Sequence, residues 1–165
     1  MRPSSSSSLS VARALPAAFV SATALMVLAA LFFGLLAPRG FAQEFSPATD
    51  ITAQEAYQAL QQQRLILVDV RTPGEWRQTG IAEGAVPISM QDPAFIAKFE
   101  ALRADNPDTP VAFICASGRR SGIVQNELAR RGYKDVFSVF GGTTGSSTAP
   151  GWIAQGLPVT PWPGN

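Results

Sequence analysis

The chain contains no histidine and a single cysteine, Cys115, among its 165 residues. Each shortage removes a class of chemistry. Without histidine no Cys-His pair can activate a nucleophile. With one cysteine and no clustered acidic pair at ligand spacing, a metal site has nothing to build on, and no metal or other cofactor is expected. One cysteine cannot close an internal disulfide, so any exported form of the chain carries a free thiol. Acidic residues are missing from the first 43 positions, and residues 14–38 carry no charge at all.

What stands in that uncharged stretch is informative. Arg2 and Arg13 flank the serine run Ser4 to Ser8, Leu25 to Leu36 is almost wholly apolar, and Gly40-Phe41-Ala42 offers small residues at the −3 and −1 positions of a cleavage site. A basic start, an apolar middle and a small-residue exit form the plan of a secretory signal peptide. Residues 1–42 are therefore expected to be a signal peptide, residues 43–50 a linker, and residues 51–165 one folded domain. The expected location is periplasmic or otherwise exported. The alternative is an uncleaved anchor over residues 14–37, the chain's one route to a membrane. Residues 43–165 hold ten basic and all twelve acidic residues, a formal charge of −2, which argues against nucleic acid as a partner.

Strand-like and helix-like segments alternate through the domain. Ile51-Thr52 reads as a short strand entering a helix, with Thr52 and Glu55 spaced as a capping box and Ala53, Ala56, Tyr57 and Leu60 at helical intervals. Leu65–Asp69 is a short apolar burst typical of a doubly buried strand. Thr72-Pro73-Gly74-Glu75 repeats the capping box with proline at the first helical position, predicting a helix over Pro73–Gln78. Gly84–Ile88 is a weaker strand. A helix is expected from Asp92-Pro93 to about Leu102, with Phe95, Ile96, Phe99 and Leu102 on one side. Val111–Cys115 reads as a strand, followed by a helix from Ser121 to the closing Arg130-Arg131-Gly132. Val136–Phe140 is a further strand, ended by Gly141-Gly142. The alternation predicts an α/β fold: a mainly parallel central sheet with helices on both faces. Ligands of such sheets bind at the carboxyl ends of the strands, where Asp69, Cys115 and Gly141 fall.

A lone cysteine ending an apolar strand is by itself an ordinary buried small hydrophobe. Its successors, Ala116-Ser117-Gly118-Arg119-Arg120-Ser121, point elsewhere. A compact loop leading into a helix aims backbone N–H groups at the sulfur, which favours a thiolate or the anion of a persulfide. Arg119 and Arg120 add positive charge, suited to an anionic substrate or to a solvated surface. Ser121 also suits a helix N-cap.

Three segments together resemble a single-domain rhodanese, of the sulfurtransferase family. They are Leu67-Val-Asp69-Val-Arg71-Thr-Pro-Gly-Glu75-Trp76, then Cys115-Ala-Ser-Gly118-Arg-Arg120-Ser121, then Gly141-Gly142 with Trp152 and Gly156-Leu-Pro-Val159. The resemblance implies that Cys115 takes a sulfane sulfur from a small anionic donor such as thiosulfate and passes it to a thiol or cyanide acceptor. It also implies that backbone N–H groups from Ala116 to Ser121 cradle the persulfide, with Arg120 folding back to brace the loop. Asp69 and Arg71 are similar to residues that support this side of the sheet, with Arg71 expected to pair with Glu75. Two departures accompany the likeness: Thr79-Gly80-Ile81 stands where the family often has Gly-His-Ile, and Thr143 to Gly151 form a small, polar insertion expected to be a flexible loop. A sulfur- or partner-binding module with little turnover is the alternative. A cysteine phosphatase fits less well, because its loop is one residue longer, with arginine six positions after the cysteine rather than five.

Overall fold

The computed structural model describes residues 50–164, which fall within one compact unit. The expected signal peptide and all but the last residue of the linker lie outside the described residues. Seven strands and four helices follow in chain order: β1 (Asp50–Ile51), α1 (Ala53–Gln61), β2 (Ile66–Asp69), α2 (Pro73–Thr79), β3 (Ile81–Ala82), β4 (Val86–Pro87), α3 (Phe95–Asp105), β5 (Val111–Ile114), α4 (Arg119–Arg130), β6 (Val136–Val139) and β7 (Val159–Thr160). Strands β1, β6, β5, β2 and β4 form one parallel sheet in that spatial order, with β5 at its centre. This is the α/β architecture that the alternation of elements predicts.

Side chains alternate across the pleat and build two apolar layers. Leu67, Ala112, Ile114, Phe137 and Val139 face one layer, with Ala53, Ala56 and Ala59 of α1 and the fully buried Trp152. Val68, Val111, Phe113, Cys115 and Val136 face the other, with Phe95 and Phe99 of α3 and Val124 and Leu128 of α4. All four residues of β5 are fully buried, as a central parallel strand covered on both faces must be.

Capping boxes set two of the four helix starts among the described residues. In both capping boxes the threonine hydroxyl accepts from the backbone N–H of the glutamate, and the glutamate side chain accepts from the threonine N–H: Thr52 with Glu55 on α1, Thr72 with Glu75 on α2. Two starts differ from expectation. Asp92 and Pro93 precede α3 rather than open it, because the Asp92 carboxylate accepts from Ala94 N–H at 2.8 Å and its carbonyl from Phe95 N–H at 2.9 Å, closing a turn before the helix begins. Helix α4 begins two residues before Ser121, with Gly118 at its N-cap in the left-handed region, φ +92°. Ser121 is therefore a buried residue of the first turn, not the cap.

The alternation of elements does not reveal the small antiparallel sheet in which Ile81 and Ala82 pair with Thr160 and Val159. It fastens the C-terminal segment beside α2, where the Trp162 ring meets Trp76 edge-on at 5.1 Å between centroids. The Thr143–Gly151 segment, expected to be a flexible loop, is a loop of turns and bends that makes specific backbone contacts. Thr143 N–H donates to the Cys115 carbonyl at 2.7 Å and Thr144 N–H to the Ala116 carbonyl at 2.8 Å; Ser146 Oγ accepts from Thr148 and Ala149, and Trp152 N–H closes the segment onto Gly142. Most of its polar groups hydrogen-bond each other or the backbone of the Cys115 loop, while the buried Thr143 hydroxyl has no partner among the described residues.

Candidate active site

Cys115 follows β5 directly, at the carboxyl end of the central strand, and its side chain is fully buried. The chain then turns sharply so that Gly118 N–H points back at Sγ, 3.2 Å away. Gly118 meets two demands at once. Its φ of +92° suits a residue without Cβ, and a Cβ there would lie 3.3 Å from the Val139 carbonyl and 3.2 Å from Gly141 N. Of the N–H groups from Ala116 to Ser121 expected to surround the sulfur, Gly118 is the one that reaches it in a hydrogen bond among the described residues. The first turn of α4 lies just beyond, with N–H groups that have no intrahelical acceptor.

The Ser121 hydroxyl lies 3.5 Å from Sγ, 2.9 Å from the Gly118 carbonyl and 2.9 Å from the Ser138 hydroxyl on β6. Ser138 is absent from the candidates drawn from the sequence. The signal for it was a polar residue inside Val136–Val139, a strand otherwise wholly apolar and buried.

The two arginines take different roles. Arg119 is exposed and has no hydrogen-bond or ion-pair partner among the described residues. Arg120 turns across the loop to α2, where its guanidinium meets Glu75 through both terminal nitrogens, one at 2.9 Å to Oε2 and the other to Oε1. The hydrogen bond from Arg120 is the main reason the Glu75 carboxyl is lowered from 4.5 to about 2; partial burial opposes it, and the Thr72 N–H and hydroxyl add to it. Arg120 in turn holds its proton more firmly, chiefly through Glu75 and to a smaller degree through Cys115.

Arg71 does not pair with Glu75. It is buried against Asp69, its Nε at 3.0 Å from both carboxylate oxygens and one terminal nitrogen at 2.7 Å from Oδ2. Its remaining donors reach Thr79 Oγ1 and the Gly80 carbonyl, each at 2.7 Å. The carboxyl end of β2 is thereby tied to the far end of α2, the helix that presents Glu75 to Arg120. Asp69 and Arg71 act on the loop at one remove, through α2. Ala116 holds the insertion by its carbonyl, while Ser117 is exposed at the loop tip. An open cleft of about 500 Å³ lies to one side, lined among others by Trp76, Ile88, Lys98 and Trp162; it shares no residue with the loop.

The Glu75–Arg120 pair has a pH signature. A carboxyl depressed in the folded state stabilises it fully above its unfolded value near 4.5, and that contribution fades as pH falls toward about 2. The stability advantage of the wild type over Glu75→Gln, measured by urea unfolding from pH 7 downward, is expected to hold to about pH 5. It should then shrink and disappear near pH 2.

A central parallel sheet with a buried thiol at the carboxyl end of its middle strand, wrapped by a short arginine-bearing loop, defines a rhodanese-like architecture. The model of the Rhodanese-like domain matches residues 52–149, and the chain belongs to that family. Among its relatives, the Rickettsia prowazekii protein RP600 is 36% identical over 98 residues, covering 56% of this chain and 80% of that one. The thiosulfate sulfurtransferase GlpE of Haemophilus influenzae is 34% identical over 113 residues, 68% of this chain and 95% of its own. The crystal structure of Rv0390 from M. tuberculosis superposes with a TM-score of 0.57 at 28% identity, covering 71% of this chain and all of that one.

Proposed function

We propose that the protein is an exported sulfurtransferase that carries a sulfane sulfur on Cys115. The observation that supports this best is the placement of Sγ against Gly118 N–H, inside a six-residue loop that ends on the first turn of α4. The Cys115 thiolate attacks the outer sulfur of thiosulfate; the sulfur–sulfur bond of the donor breaks and sulfite leaves with its electron pair. The resulting Cys115 persulfide is then attacked at its outer sulfur by cyanide or a thiolate, giving thiocyanate or an acceptor persulfide and returning the Cys115 thiolate. One displacement is thus divided into two through a covalent intermediate. The free N–H groups of the first turn of α4 suit the negative charge of the outer sulfur. Arg119, exposed and without a partner among the described residues, suits recruitment of the anionic donor. The complete burial of Sγ favours small donors and acceptors.

Intact mass spectrometry after incubation with thiosulfate tests the reading. The wild type should gain one sulfur atom and Cys115→Ser none. No gain in the wild type, or equal gain in both, defeats it. Loading without turnover toward cyanide or a thiol makes the domain a sulfur-binding module instead. Export is tested separately by the N-terminal mass of the secreted protein, expected to begin at Gln43.

A further inference from the structure

We propose that Ser138 is a positioning residue for Cys115: its hydroxyl aims the Ser121 hydrogen at the sulfur when the sulfur is anionic. This rests on reading Cys115 as the nucleophile. The Ser121 hydroxyl has one hydrogen and three acceptors within reach: the Gly118 carbonyl at 2.9 Å, Ser138 Oγ at 2.9 Å and Sγ at 3.5 Å. The Gly118 carbonyl already accepts the Gly122 N–H at 3.0 Å, so it can release the hydroxyl without becoming an orphaned acceptor. A thiolate or persulfide anion is then the strongest acceptor in the group.

Ser138 settles the remaining choice. The 2.9 Å contact between the two hydroxyls can run in either direction. The other acceptor within reach of Ser138, the Gly118 carbonyl, is 3.5 Å away, so in the proposed arrangement Ser138 donates to Ser121. Only one hydrogen can lie between the two oxygens, so once Ser138 donates there the Ser121 hydrogen is turned away from Ser138. The order is Ser138 to Ser121 to sulfur, and a donor chain of this kind polarises each successive O–H. Both serines are essentially inaccessible, Ser121 at 0% and Ser138 at 1% exposure, so bulk water does not stand in for a missing hydroxyl.

The test is the pH profile of Cys115 alkylation by iodoacetamide, which uses no sulfur donor. Failure of thiosulfate loading would therefore count against the proposed function and leave this inference standing, and the reverse also holds. In Ser138→Ala the rate near neutral pH is expected to fall about threefold and the midpoint of the profile to move up by about half a pH unit, with the alkaline plateau unchanged. Ser138→Thr, which keeps the hydroxyl, should return the midpoint toward the wild type, while Ser138→Val, of the same shape without it, should not. That second pair asks the same question if the alanine variant does not fold. Superimposable profiles for the Thr and Val variants, or a loss of equal size at every pH, overturn the proposal.

Discussion

Gly142→Ala is expected to cost the domain on the order of 4 kcal/mol and to displace the backbone that carries Cys115. A Cβ at position 142 would lie 2.3 Å from the Cys115 carbonyl oxygen and 2.7 Å from that of Ala116, far inside contact distance, and φ there is +58°. Neither neighbour is the free end of a side chain. The Cys115 carbonyl is held by Thr143 N–H and the Ala116 carbonyl by Thr144, so the clash propagates into the loop instead of being absorbed. Gly132 supplies the control. Its φ is +91° with nothing among the described residues within 4 Å of an added Cβ, so Gly132→Ala bears only the conformational penalty, about 1 kcal/mol. Thermal melting should separate the two clearly, with the control falling by about 4–8 °C. Because a loss of about 4 kcal/mol approaches the whole stability of many small domains, Gly142→Ala should be largely unfolded at the temperature where the control still melts cooperatively. Equal melting temperatures for the two variants would show that the close approach of Gly142 to Cys115 carries no energetic weight.

The second large effect belongs to the buried pair on β2. Arg71→Met should destabilise the domain by about 3–5 kcal/mol, because it leaves the Asp69 carboxylate buried without its cation. Asp69 has no exposed surface, and four of the hydrogen bonds it accepts come from Arg71, one from the backbone N–H and three from the guanidinium. The same substitution frees the end of α2, since Thr79 and the Gly80 carbonyl lose their arginine donors. Adding Asp69→Asn removes the stranded charge while keeping an acceptor for the backbone N–H at position 71, so the double variant should be more stable than Arg71→Met alone. Urea unfolding of the two singles and the double measures this directly. A double variant less stable than Arg71→Met would mean that the charge itself was never the problem.

Both effects arise where the chain folds back on itself, and such places divide what could be read in the sequence from what could not. Thr52 with Glu55 and Thr72 with Glu75 formed as the spacing predicts, because a capping box joins groups three residues apart and needs nothing distant. The apolar bursts of β2, β5 and β6 were legible for a similar reason: only a doubly covered strand tolerates so short and continuous a run. The order Cys115, Gly118, Arg120, Ser121 was enough to locate the loop. Helix starts were less secure where a side chain had a choice of local partners. Asp92 closed a turn with Ala94 and Phe95, and Gly118 displaced Ser121 as the cap because only glycine suited the left-handed turn beneath the sulfur.

Partners across the fold were not legible. Arg71 and Glu75 stand four apart, the spacing of neighbours on a helix, yet Arg71 precedes the cap at Thr72 and lies outside α2. Arg71 turned inward to Asp69, and Glu75 was left to Arg120, 45 residues away. The Ser/Thr/Gly composition of Thr143–Gly151 marked turns, but composition does not say which carbonyls those turns will meet. Strands β3 and β7, two residues each, are too short for any period to show.

The sequence alone determined the alternation of strand and helix, the two capping boxes and a thiol set before a glycine-arginine loop, because each depends on groups close together along the chain. Tertiary structure decided the rest: that Glu75 holds Arg120, that the insertion grips the carbonyls of Cys115 and Ala116, and that Ser138 stands behind Ser121. Those contacts join segments 17 to 45 residues apart. Their geometry follows from strand order in the sheet, which brings β6 and α2 to the two sides of one buried sulfur.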